Sequence, residues 1–305
     1  MTTASADQPV PSTKPAPAAA APKKDGFATK IGRWTRRAPL QIFLMLVALA
    51  WLVPTLGLFF TSLLPADLIS QEGWWKVVSD PSVATFANYR AVFDNEALVS
   101  SLWVTLQIAV GNTVLLVLVA ALAGYAFAWL EFPGRDALFV VVIGLLVVPL
   151  QVALIPIFSI YNDAHLFDTV LGLILFHVAF GLPFGIFLMR NFFVGIPKDL
   201  LESARIDGAS EITIFFKLML PLALPAIASL AIFQFLWTWN DLIVALTFAR
   251  DTKPITVEIF SQLRQFGTNI ELIAPASFLS MIIPLVVFFA FQKSFANGLL
   301  AGSVK

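Results

Sequence analysis

The sequence predicts an all-α membrane protein with six transmembrane helices. Three observations carry that reading: a low charge content, six long runs without a charge, and a one-sided distribution of the basic residues that remain. Only 12% of the 305 residues are charged and 59% are apolar, against about 25% charged in soluble domains. Runs without Asp, Glu, Lys or Arg cover residues 38–66, 97–130, 137–162, 169–189, 218–240 and 272–292. Each supplies the roughly 20 residues that a helix rising 1.5 Å per residue needs to cross about 30 Å of hydrocarbon. Helices buried in a soluble core are shorter and keep a polar face.

In chain order, residues 1–37 form a basic segment rich in Ala and Pro, without apolar periodicity, and are expected to be disordered. The first span, about 39–64, exceeds the 7–15 residues of a signal-peptide core and is read as uncleaved. Pro54 is expected to kink it. The loop to the second span carries Trp74 and Trp75, residues suited to the membrane interface. The remaining spans are expected at about 98–130, 137–161, 169–190, 218–241 and 273–294. A connecting segment covers 191–217 and a tail follows from 297 to 305. The membrane domain so delimited is expected at 38–296.

Orientation comes from the basic residues. Lys14, Lys23, Lys24, Lys30, Arg33, Arg36, Arg37, Arg135, Arg190, Lys198, Arg205, Lys217, Lys293 and Lys305 fall on one side of the six-span layout. Lys76, Arg90, Arg250, Lys253 and Arg264 fall on the other. Fourteen against five places both termini in the cytoplasm by the retention of positive charge there.

The segment between the fourth and fifth spans has a pattern of its own. Pro197 suits a first helical turn, with Asp199 near the positive helix end. Leu201, Ala204 and Gly208 share one side, while Lys198, Glu202 and Arg205 share another, with Glu202 and Arg205 spaced to pair. Asp207-Gly208 breaks the helix at a residue expected to need positive φ, and Ser210 can cap a second helix. The small residues Ser203, Ala204, Gly208 and Ala209 leave a shallow surface for a docking partner. An amphipathic connector resting on lipid headgroups is the other reading of the same pattern.

The run Glu202-Ser-Ala-Arg-Ile-Asp-Gly-Ala209, followed by Leu220-Pro221 and Pro225, resembles the signature of binding-protein-dependent ABC importer permeases. Ser203 stands where that signature usually has a second Ala, a change of little volume. Asn88-Tyr89, Phe132-Pro133-Gly134-Arg135, Ile155-Pro156, Trp239-Asn240-Asp241 and Gly298-Leu299-Leu300-Ala301 are similar to the carbohydrate branch, the maltose and α-glucoside type, and the likeness spans about residues 40–305. The resemblance implies that Glu202, Ser203, Ala204, Asp207, Gly208 and Ala209 belong to a coupling helix seated on a cytoplasmic ABC ATPase dimer. It also implies a second permease subunit, probed from outside by an extracytoplasmic sugar-binding protein, in the inner membrane of a prokaryote. The sequence has no G-x-x-x-x-G-K-[ST] phosphate loop, so ATP hydrolysis is expected on the partner and no enzyme activity on this chain.

Polar residues within the spans are few: Gln107, Asn112, Gln151, His177, Gln234 and Asn240. In hydrocarbon they must face protein or a wet cavity. Gln234, Trp237, Thr238 and Asp241 lie at i, i+3, i+4 and i+7, a helical face that joins an indole to hydrogen-bonding groups. A sugar could stack and bond there, and packing on the partner permease fits the same face. Cysteine is absent and the two histidines are isolated, so neither a metal nor a cofactor is expected, and nothing suggests nucleic acid. An ion-coupled transporter would need buried ionisable groups, for which His177 and Asp241 are the only borderline cases. Within the ABC reading, glycerol phosphate or a polyamine is the competing solute.

Overall fold

The computed structural model describes the backbone of residues 27–301 apart from 70 and 267–268, and the side chains of 38–263 and 269–292 apart from 70. Every regular element among the described residues is helical. The first helix, α1 (Phe27–Ser62), crosses the boundary between two compact units of the chain, residues up to Val53 and residues from Pro54. It begins earlier than expected, so residues 27–37 are helical rather than disordered, while 1–26 lie outside the described residues. The first charge marks where a helix leaves hydrocarbon and not where it stops.

Among the described residues four helices are long and apolar enough to cross a membrane, over Ala38–Ser62, Glu96–Trp129, Val170–Val194 and Ile270–Gln292. They belong to α1, α5 (Glu96–Trp129), α8 (Val170–Val194) and α15 (Ile270–Ala301). The expected tail is helical as far as Ala301; residues 302–305 lie outside the described residues. The third and fifth expected spans are each a bent pair of helices, and counting each pair as one span gives six among the described residues.

Proline explains both bends. α6 (Arg135–Leu145) and α7 (Leu150–Asp163) meet at 102°, and Pro149 stands at the head of α7. Its missing N–H and its clash with the preceding residue end α6 and start a new direction. The fifth span begins as α10 (Glu211–Ile214), a π-helical turn over Phe215–Met219 and α11 (Leu220–Leu222). It turns by 75° at Ala223 into α12 (Leu224–Trp239). Pro221 cannot bond back to Lys217, and the widened turn just before it accommodates that loss.

The core is built on α5 and α8, the most extensive helix pairing among the described residues. Small residues permit it. A Cβ on Gly124 would sit 2.7 Å from Met189 Cβ and 2.9 Å from the Arg190 backbone nitrogen, and one on Gly185 2.9 Å from Ala120 Cβ. Close backbone approach of this kind is how helices associate in lipid, where apolar burial gives no preference for protein over solvent. Arg190 holds α6 as well, its guanidinium carbon 4.3 Å above the Phe139 ring.

Short helices fill the connections: α2 (Ala66–Ile69), α3 (Trp75–Ser79) and α4 (Ala87–Asp94) after the first span, and α9 (Lys198–Ile206) after the fourth. Two more, α13 (Ile243–Phe248) and α14 (Ile255–Phe266), follow the fifth. Buried Asn88 donates to Ser62 O at 3.0 Å and Leu64 O at 2.6 Å, and Tyr89 meets Ser62 Oγ at 2.6 Å. The dipeptide thus closes the carbonyl end of α1. At the opposite turn of the same side, Asp168 in left-handed conformation accepts from the backbone nitrogens of Arg250, Asp251 and Thr252 at 2.8–2.9 Å. Partial burial pushes its carboxyl up, and these donors more than offset it, leaving it below the usual carboxylate range.

Candidate functional site

The segment expected to dock a partner owes its shape to one helix ending. α9 closes at Asp207, after which Gly208 takes φ 78°. Gly208 N donates to Arg205 O and Ala209 N to Ala204 O, both at 3.0 Å. These are the two bonds of a Schellman ending, which uses a glycine in left-handed conformation and brings the flanking apolar residues together. Ala204 and Ala209 are both packed against the core, and Leu201 is fully buried in it. Ser210 then accepts from Thr213 N at 3.3 Å and caps α10. Pro197 precedes α9 as its N-cap instead of lying within the first turn.

What remains outside is a narrow surface. Glu202, Ser203, Asp207 and Gly208 are exposed, and Ser203 Oγ donates to Asp199 O at 2.7 Å. A Cβ on Gly208 would meet nothing within 4 Å. Ile206, 85% exposed, is the most exposed apolar side chain of this segment, ahead of Ile212 and Leu200; spacing gave no reason to single it out. The expected Glu202–Arg205 pair does not form. Glu202 bonds Lys198 at 2.9 Å, and Arg205 bonds Glu211 at 2.8 Å. A basic residue four positions back lies on the same helix face as one three positions on, and Glu211 offered Arg205 a partner across the turn. The hydrogen bond from Lys198 holds the Glu202 carboxyl below its ordinary range.

The polar face of the fifth span is divided. Gln234 and Thr238 are buried, whereas Trp237 is 50% exposed. α12 ends at Trp239, whose Nε1 donates to Ser280 O of α15 at 2.9 Å. Asp241 therefore lies past the helix and not on its face. Its carboxylate accepts from Val244 N at 3.2 Å and Ala245 N at 3.0 Å, fastening the start of α13. Thr238 Oγ1 accepts from Asn112 Nδ2 of α5 at 2.7 Å. His177 of α8 faces Leu173 O through Nδ1 at 2.8 Å and Asp241 Oδ2 through Nε2 at 3.6 Å. A carbonyl only accepts, so Nδ1 carries the proton.

Asn112 Oδ1, His177 Nε2 and Gln234 Nε2 are buried without a hydrogen-bond partner. Two cavities of about 10 Å³ adjoin them, one lined by His177, Thr238 and Asp241, the other by His177, Gln234, Trp237 and Thr238. Each has room for a single water molecule. Outside this cluster Trp237 borders an apolar groove of about 390 Å³ with Phe184, Phe233 and Leu236. A second groove of about 370 Å³ runs past Leu236, Asn240, Ser277 and Ser280. Among the described residues no group of His, Asp and Glu is placed to hold a metal ion.

Residues 117–299 match the family described as binding-protein-dependent transport system inner membrane component. The chain is 45% identical over 276 residues to the osmoprotective compounds uptake permease protein GgtD of Synechocystis, a match covering 88% of this chain and 93% of that one. It is 48% identical over 233 residues to the alpha-glucoside transport system permease protein AglG of Rhizobium meliloti, covering 74% and 61% respectively. The trehalose transport system permease protein SugB of Mycobacterium tuberculosis is 37% identical, with 83% and 92% covered. Among solved structures, a chain of a bacterial ABC transporter involved in the import of alginate superposes with a TM-score of 0.70 at 22% identity, over 89% of this chain and 99% of that one.

Proposed function

The chain belongs to the binding-protein-dependent transport system inner membrane components, as a carbohydrate ABC importer permease, and from that premise we propose that it forms half of the translocation path for an α-glucoside oligosaccharide. The observation that carries the substrate class is the 48% identity to the alpha-glucoside permease AglG. Glu202, Ser203, Ala204, Asp207, Gly208 and Ala209 are the docking turn for a separate cytoplasmic ATPase dimer. Its support is a surface with open space around Gly208, beside which Ile206 is held outward.

A second permease completes the path, and an extracytoplasmic binding protein delivers the sugar. In this scheme ATP binding closes the ATPase dimer, the docking turns move with it, and the path opens to the opposite side. Within it Trp237 stacks on the sugar, while Gln234, Thr238 and Asp241 hold the wall behind the indole. Both termini are cytoplasmic, supported by the fourteen-to-five asymmetry of Lys and Arg. A reporter active only outside the membrane, fused after Lys305, is expected to be silent.

The experiment is uptake of radiolabelled maltose, trehalose and sucrose by cells with and without the gene. Loss of uptake of at least one is expected on deletion. Unchanged uptake of all three, with loss of an osmoprotective solute, would favour a second reading, supported by the 45% identity to GgtD.

A further inference from the structure

We propose that Tyr125, Glu211 and Arg205 are positioning residues that carry movement of the docking turn into the membrane helices, an inference that rests on the ATPase-docking reading above. The three side chains come from three elements. Arg205 is in the last turn of α9, Glu211 opens α10, and Tyr125 lies near the end of α5. Glu211 uses both carboxylate oxygens: Oε1 accepts from Arg205 Nε at 2.8 Å and Oε2 from the Tyr125 hydroxyl at 2.5 Å. Arg205 also reaches Trp129 O of α5 at 3.5 Å. The docking helix, the start of the fifth span and the end of the second span are thereby tied at one carboxylate.

Direction is what this tie adds. Leu201 anchors α9 through apolar burial, which is non-directional and permits sliding. Hydrogen bonds between charged groups fix angle and distance. Tyr125 is 4% exposed, with the rings of Phe193 at 6.0 Å and Phe215 at 5.4 Å. Its neighbour Gly124 is where α5 comes within van der Waals limits of α8. A displacement of Glu211 therefore reaches the tightest helix pair of the core through a continuous chain of packed and bonded groups, the physical route by which coupling travels.

The native chain has no cysteine, so one reporter thiol can be read cleanly. Asn240→Cys places it beside the groove along α12, where Asn240 is exposed. Labelling by a membrane-impermeant maleimide is compared with and without a non-hydrolysable ATP analogue, on the complex assembled with its ATPase. Tyr125→Phe keeps the ring packing and removes only the hydroxyl. It is expected to retain the ATPase and to cut the nucleotide-dependent change in labelling about fivefold, the scale of one hydrogen bond. Glu211→Gln should weaken the change too, and the double variant should be no worse than the poorer single one. A full labelling change in Tyr125→Phe overturns the proposal, and so does loss of the ATPase from that variant, which would make Tyr125 part of the docking surface. Absence of any nucleotide effect with Tyr125 intact would instead remove the docking reading itself.

Discussion

The proposed docking turn and the far end of the fifth span are both short stretches with polar residues at helical spacing, and they fold in opposite senses. In 198–211 part of the family pattern is consumed by the chain's own geometry. Ala204, Gly208 and Ala209 build the helix ending and Leu201 anchors it, which leaves Glu202, Ser203, Ile206 and Asp207 facing outward. In 234–241 Gln234 and Thr238 are buried, Thr238 bonded to Asn112 and Asp241 3.6 Å from His177, while Trp237 stays half exposed. Spacing determines which side chains share a face. Whether that face is covered depends on helices distant in sequence, α5, α8 and α15, and no local pattern reports them.

The largest effect should come from the docking turn. Gly208→Val is expected to abolish uptake and weaken ATPase co-purification, with the six spans inserted at normal abundance. The left-handed conformation costs a side chain about 1–2 kcal/mol, more for a β-branched one, and within this chain the added Cβ has open space. Gly208→Asn separates the two causes, because Asn tolerates this conformation. Recovery with Asn assigns the defect to φ; failure of both assigns it to the space the partner needs. Normal uptake and full ATPase retention by Gly208→Val would erase the contrast between the two regions.

A pair of neighbouring substitutions tests the inward half. Thr238→Val deprives the buried Asn112 amide of its acceptor, at a cost of about 1–2 kcal/mol. It should lower abundance or thermal stability in detergent while leaving uptake per molecule near normal. Trp237→Ala should do the reverse, with assembly intact and uptake reduced about fivefold for one lost stacking contact. Loss of assembly in Trp237→Ala would mean that the indole packs on the partner permease.

Much of this was legible in the sequence because it depends on local chemistry. Charge-free length gave the number of spans, and the Asp207-Gly208-Ala209 run gave the break, the positive φ and the capping Ser210. The bends at Pro149 and Ala223 were not read, because a charge-free run measures length and carries no direction; the prolines were the available signal. The α5–α8 contact was not read either, although Ala120 with Gly124 and Gly181 with Gly185 stand at four-residue spacing. The tie from Glu211 to Tyr125 joins residues 86 apart and had no sequence signal at all. Glu202 was assigned the wrong partner because both i−4 and i+3 positions are basic, and only the position of Glu211 decides between them.

That last misassignment makes the smallest prediction. Glu202 pairs with Lys198 within its own helix, on a surface open to water, where exposed ion pairs contribute little. Glu202→Ala should therefore leave uptake within about twofold of the parent if the carboxylate serves only that pair. Its pH behaviour gives a second check. The folded carboxyl lies below its ordinary range because Lys198 bonds it, so its contribution is complete above the unfolded value of about 4.3. It fades only as pH falls through the lower folded one. The difference in thermal stability between parent and variant should be small and flat from about pH 5 to 8 and vanish at lower pH. A loss of ATPase retention comparable to that of Gly208→Val would show that Glu202 reaches across to the ATPase, and would move it from the chain's own geometry to the interface.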